Sequence, residues 1–134
     1  MVALTPPLAE AHRLKFVTAL RVLLVDDHPA FATSACALLT SEGFQVVGVA
    51  STGEEALVKY AALRPDLLLL DIRLPGMSGV EVAHVVSDGI HAANVILISS
   101  DADAATDPDV QAAPVCGFLP KRDFTCAAID ALLR

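Results

Sequence analysis

The chain has 134 residues, enough for one domain that buries roughly two-thirds of the surface its unfolded form exposes, so no disulfide framework or structural metal is required. Hydrophobic residues make up 54% and aromatic ones only 4%, which calls for a core of Ala, Val, Leu and Ile rather than large rings. The net charge of -7 excludes a broad nucleic-acid footprint, because neutralising phosphates takes clustered Lys and Arg.

Residues 1–19 lack the cationic start and unbroken apolar run of a signal peptide, and no later stretch approaches the ~20 apolar residues of a membrane span. The expectation is a cytoplasmic protein without membrane contact. Within that first segment, 9–19 reads as one helix following Pro6 and Pro7, with too narrow an apolar face for a core position. Residues 1–19 are therefore an extension, and 20–134 the domain. Cys36, Cys116 and Cys126 are odd in number and form no CxxC pair, which is the pattern of reduced thiols packed as small apolar groups.

Four short apolar runs, 22–25, 67–70, 95–98 and the weaker 115–119, lack alternation, as strands buried on both faces do. A fifth, 44–50, is rich in β-branched valine and reads as an edge strand. Helical signals lie between them. The first helix begins near Pro29, where a missing N–H costs nothing, carries Phe31, Ala35, Leu38 and Leu39 on one face, and stops at Gly43. The second and third open on capping boxes, Thr52 with Glu55 and Ser78 with Glu81, and the second ends before Pro65. A fourth helix is hemmed in by Pro108 and Pro114 and crowded by Asp101, Asp103, Asp107 and Asp109, so it is predicted to be short or mobile. The last runs from Asp123, as cap, to Leu133. Five alternations of strand and helix predict an α/β fold with a doubly wound, five-stranded parallel sheet.

Ligands of open parallel sheets bind beyond the carboxyl ends of the strands. There the chain places Asp26 and Asp27 after the first strand, Asp71 after the third, Ser99 and Ser100 after the fourth, and Lys121 after the fifth. With strand order 2-1-3-4-5 these side chains converge. Three carboxylates so close repel unless a cation neutralises them, and hard oxygen ligands favour Mg2+ or Mn2+. A carboxylate nucleophile, a divalent cation, an ammonium and a small hydroxyl are the parts phosphoryl transfer uses, with an aspartyl phosphate on Asp71 as product.

On VLLVDDHP (22–29), LLLLDIRLPGMSGVE (67–81), VILISS (95–100) and GFLPK (117–121), residues 20–134 resemble the receiver domain of bacterial two-component response regulators. DDHP and GFLPK are most similar to regulators with a helix-turn-helix, LuxR-type output domain. The resemblance implies the flavodoxin-like receiver fold and a phosphoryl group accepted from a sensor histidine kinase. It makes Asp71 the phosphoacceptor, Asp27 a direct metal ligand, Asp26 a ligand largely through water and the Arg73 backbone carbonyl a further ligand. Lys121 would meet the phosphoryl group, while Ser99 and Phe118 form the switch that signals to the helix 4, strand 5, helix 5 face, a surface for a possible homodimer. The implied chemistry is limited to the protein's own phosphorylation and dephosphorylation, so it is not an enzyme acting on other substrates.

The family pattern is broken at Pro114, which stands where a glycine is common four residues before the switch aromatic, and at Arg122, which replaces the proline that follows the lysine in many receivers. Arg73 and Asp101 are spaced to pair over the phosphoryl group and slow the attacking water. His28 reads as the start of the first helix, and His12, His84 and His91 as surface residues. Two other readings compete: an unphosphorylated pseudo-receiver serving as an interaction module, and the receiver fragment of a DNA-binding transcription regulator. A magnesium-dependent dehalogenase-type phosphatase would require a second aspartate where Arg73 stands.

Overall fold

The structure is a computed structural model and describes residues 20–89, 91 and 93–134. The predicted extension 1–19 and its helix, with His12, lie outside the described residues. Strands β1 (Arg21–Val25), β2 (Gln45–Ala50), β3 (Leu67–Asp71), β4 (Asn94–Ser99) and β5 (Gly117–Pro120) pair in parallel in the order β2-β1-β3-β4-β5. Helices α1 (Pro29–Ser41), α2 (Gly53–Leu63), α3 (Gly79–Ser87), α4 (Pro108–Gln111) and α5 (Cys126–Leu132) form the crossovers and the final layer.

The unbroken apolar runs follow from burial of both sheet faces. Val22, Leu24, Leu67, Leu69, Ile96 and Ile98 point to one side and pack with Ala35 and Leu39 of α1 and Ile129 of α5. Their alternates Leu23, Val25, Leu68, Leu70 and Leu97 point to the other, against Tyr60 of α2, Val82 and Val86 of α3 and Val110 of α4. All five residues of β3 are buried, Asp71 included. The hydrophobic driving force that fixes the central strand therefore carries one carboxylate into the interior.

Helix ends follow local chemistry. Pro29 opens α1, and Gly43 adopts φ 98° just beyond its end, the left-handed conformation glycine permits without a Cβ clash. The box at α3 is complete: Glu81 N–H donates to Ser78 Oγ at 3.2 Å and Ser78 N–H to the Glu81 carboxylate at 2.9 Å. At α2 only half of the predicted box forms. Glu55 N–H donates to Thr52 Oγ1, but the Glu55 carboxylate accepts from Ser51 N–H at 2.8 Å, one residue earlier.

Four expectations are corrected. The last helix starts at Cys126 and is capped by Thr125, whose side chain accepts from Ala128 N–H, because Lys121–Asp123 is spent on a 3-10 turn that brings Lys121 round to the strand ends. The fifth strand is Gly117–Pro120, with pairing to β4 announced by Cys116 N–H donating to Val95 O at 2.7 Å. Cys116 is exposed, unlike buried Cys126, and His91 is half-buried with its Nε2 2.8 Å from Pro65 O. The fourth helix is short, as its prolines require: α4 is one turn, preceded by the 3-10 segment Ala102–Thr106, and only Val110 of these residues is buried.

Candidate functional site

Asp26 leaves β1 with its N–H still paired to Ala50 O at 2.9 Å, so its side chain is fixed at the sheet edge. Its Oδ1 accepts from His28 N–H at 2.7 Å, an Asx turn that aims the chain into α1. Asp71 ends β3, and its Oδ1 accepts from Arg73 N–H at 3.0 Å. Both carboxylates are buried, with side-chain exposures of 0% and 3%. The close pass of α3 depends on Gly79, where an added Cβ would lie 2.2 Å from the Asp71 carbonyl oxygen.

Lys121 supplies the counter-charge. From its 3-10 turn the ammonium lies 2.6 Å from Asp26 Oδ2 and 2.9 Å from Asp71 Oδ2, with a side-chain exposure of 10%. Phe31 on the first turn of α1 holds it from the other side: Nζ stands 4.7 Å from the ring centroid, a cation–π contact, and Phe124 meets that ring edge-on at 5.3 Å. Burial pushes the Asp71 carboxyl above its ordinary value, the hydrogen bonds from Lys121 and Arg73 N–H pull against that rise, and the Asp26 charge adds to it. Burial presses the Lys121 ammonium down, but its hydrogen bonds to Asp26 and Asp71 and their charges outweigh this and leave it raised.

The donor set fits a divalent cation. Oxygens of Asp26, Asp27 and Asp71 and a ring nitrogen of His28 lie within 4.8 Å of one another. Asp27 Oδ1 is buried without a hydrogen bond, and Asp26 Oδ2 is buried with only the Lys121 ammonium against it, arrangements that are costly for a carboxylate unless a positive charge stands beside it. At Asp26 that charge is the Lys121 ammonium, which already occupies a cation's place between two of the acids.

Ser99, at the end of β4, is buried and its Oγ accepts from Asp101 N–H at 3.0 Å. Above it Arg73 Nη2 meets Asp101 Oδ2 at 3.0 Å on the exposed rim, so the predicted pair forms. Phe118 is half-buried in β5 with Ile72, Leu74 and Val115 in the same apolar cluster. Asp26, Asp71 and Lys121 are in direct contact, while Asp27 lies beside them, 3.2 Å from His28 Nδ1.

A family model described as the response regulator receiver domain matches residues 22–132. The chain belongs to this receiver family. Among its relatives, the NarL transcriptional regulatory protein of Mycobacterium tuberculosis is 36% identical over 114 residues, covering 84% of this chain and 53% of that protein. The response regulator GacA of Pseudomonas viridiflava is 46% identical over 63 residues, covering 46% of this chain and 29% of that one. The solved signal receiver domain of the Mycobacterium tuberculosis NarL superposes with a TM-score of 0.75 at 35% identity, covering 86% of this chain and 97% of that receiver. A LuxR-family response regulator from Aurantimonas gives 0.76 at 26% identity, covering 86% and 83%. The receiver described here spans about half or less of the curated relatives it matches, from 24% to 53% of their length. Among the described residues no helix is long and apolar enough to cross a membrane.

Two contributors escaped the sequence reading. His28 is part of the acid cluster as well as the residue before α1, and its position beside two aspartates was the available signal. Phe31, read only as a core-facing residue, also backs Lys121. That contact joins residues 90 positions apart and leaves no local trace.

Proposed function

We propose that this receiver, residues 20–134 with 1–19 as an extension, accepts a phosphoryl group on Asp71 from a sensor histidine kinase and passes the change to an output domain or partner. The observation that carries the reading is the Lys121 ammonium bridging buried Asp71 and Asp26 at 2.9 and 2.6 Å. It stabilises the anionic carboxylate that burial opposes, and it stands where a charged phosphoryl oxygen would arrive.

In the transfer, an Asp71 oxygen forms a bond to phosphorus as the P–N bond of phosphohistidine breaks. The electron pair leaves with the imidazole, which takes up a proton, and the product is an acyl phosphate. Water later cleaves the acyl phosphate, returning the carboxylate and inorganic phosphate. Asp26, Asp27, Asp71 and the Arg73 backbone carbonyl would hold Mg2+ or Mn2+, which when bound supplies charge neutralisation for the phosphoryl oxygens. The chain's own residues orient the acceptor: Arg73 N–H fixes one carboxylate oxygen and Lys121 the other. Ser99 would exchange its Asp101 N–H contact for a phosphoryl oxygen and Phe118 would follow it inward. A homodimer through α4, β5 and α5 would have a small footprint, since α4 is a single turn. The receiver has no nucleic-acid contact of its own on this reading, and the protein works in the cytoplasm.

The test is incubation with acetyl phosphate and Mg2+. A mass gain of one phosphoryl group in the wild type, absent from Asp71→Asn, is the expected result. No gain in the wild type would sink the reading in favour of an unphosphorylated interaction module.

A further inference from the structure

His28 offers more to the site than a helix start. The backbone there is extended, as the residue before a proline prefers, and the Asx turn on Asp26 ties its N–H down at 2.7 Å. This constraint delivers the ring to the acids. Nδ1 lies 3.1 Å from Asp26 Oδ1, 3.2 Å from Asp27 Oδ1, 3.7 Å from Asp71 Oδ2 and 3.3 Å from the Lys121 ammonium. One ring nitrogen carries either a hydrogen or a lone pair, so it cannot donate to three carboxylates and also accept from the ammonium. A shared cation resolves the conflict, because it accepts the lone pair and the carboxylate oxygens alike. Two donors each about 2.1 Å from one cation lie roughly 3.0 to 3.4 Å apart. The separations from Asp26 and Asp27 fall within that span.

We propose that His28 Nδ1 is a direct ligand of the divalent cation, so that this receiver binds first-row transition ions more tightly, relative to magnesium, than three carboxylates alone would. The inference rests on the acid cluster being the cation site of the proposed function. Carboxylate, carbonyl and water ligands suit magnesium, whereas imidazole suits zinc, cobalt and nickel and adds little for magnesium. The His28 side chain is 60% exposed, so its replacement leaves the core intact.

Calorimetric titration of the metal-free full chain with MgCl2, CoCl2 and ZnCl2, together with the visible absorption of bound Co2+, tests this in the wild type and in His28→Ala. The expected result is a roughly tenfold or greater loss of Co2+ and Zn2+ affinity in the variant with a change in the cobalt spectrum, while Mg2+ affinity moves by less than about twofold. Equal cobalt and zinc affinities in the two proteins would overturn the proposal. So would a parallel loss for all three ions, which would mean that the ring orders the acids rather than binding metal. Asp27→Asn controls for the site and should weaken all three. Acetyl phosphate acceptance by the wild type, run alongside, judges the proposed function independently: cations bound without phosphorylation would sink that reading and not the ligand assignment.

Discussion

The two halves of the sheet are built to different standards. On one side β1, α1, β2, α2 and β3 pack full-length helices against buried strands and fix Asp26 and Asp71 by backbone hydrogen bonds. On the other, the segment between β4 and β5 has a 3-10 turn and one turn of α-helix, with Val110 as its one buried residue and Ala113 and Val115 only partly buried against the core, and with its aspartates used as caps: Asp101 accepts from Asp103 N–H and Asp107 from Asp109 N–H. Acceptor chemistry demands a rigid carboxylate held against its own desolvation. The face that would report phosphorylation demands only that a segment be able to move, and here it is held by little.

Hydrogen exchange should expose the contrast most strongly. Amides of Leu39 in α1 and Leu69 in β3 are expected to open only with the whole domain, while those of Gln111 and Ala112, bonded to Asp107 O and Pro108 O, exchange by local opening about a hundredfold or more faster. Equal protection across the two regions would remove the contrast.

Replacing Lys121 with methionine leaves two buried acids facing each other, and should lower unfolding stability by about 3 kcal/mol in the absence of metal, with millimolar Mg2+ restoring part of it. The ammonium is raised above its ordinary 10.5, so the folded state holds that proton more tightly than the unfolded chain. Its contribution is thus complete below that value and is lost as pH climbs through the folded one. Denaturant midpoints at neutral and strongly alkaline pH check both statements.

Gly79→Ala should cost about 2 kcal/mol or more, because the new methyl would meet backbone at Asp71 and Ile72, and it should slow phosphorylation through the displaced strand end. The smallest stability effect belongs to Arg73→Ala. Its exposed pair with Asp101 is worth under about 1 kcal/mol, yet the aspartyl phosphate should hydrolyse faster once the rim opens. An unchanged lifetime, followed by mass spectrometry, would reduce the pair to a surface contact.

The strands were legible because burial on both faces leaves an uninterrupted apolar run, as at 67–70, and α3 because the Ser78 and Glu81 box is a local interaction between neighbours in sequence. The start of the last helix was misplaced for a related reason. Asp123 and Thr125 are both acceptable caps, and the choice between them depends on where Lys121 must reach. Likewise the Glu55 carboxylate accepts from Ser51 N–H rather than from Thr52 N–H, a competition between adjacent N–H groups that composition cannot decide.

Local patterning was sufficient for the strands themselves, for the three aspartates, Ser99 and Lys121 at their ends, and for the truncated fourth helix, since each follows from short-range signals or proline geometry; the strand order 2-1-3-4-5 came with the family resemblance and is set by how the strands pair. Tertiary packing settled which of these groups touch. Lys121 bridges Asp26 and Asp71, Phe31 backs it, and His28 turns its ring onto the acids, all through contacts between residues far apart in the chain or through a turn whose direction the surrounding sheet sets. Charge in a buried site is decided by distances of a few ångströms, and those distances exist only after the strands have paired.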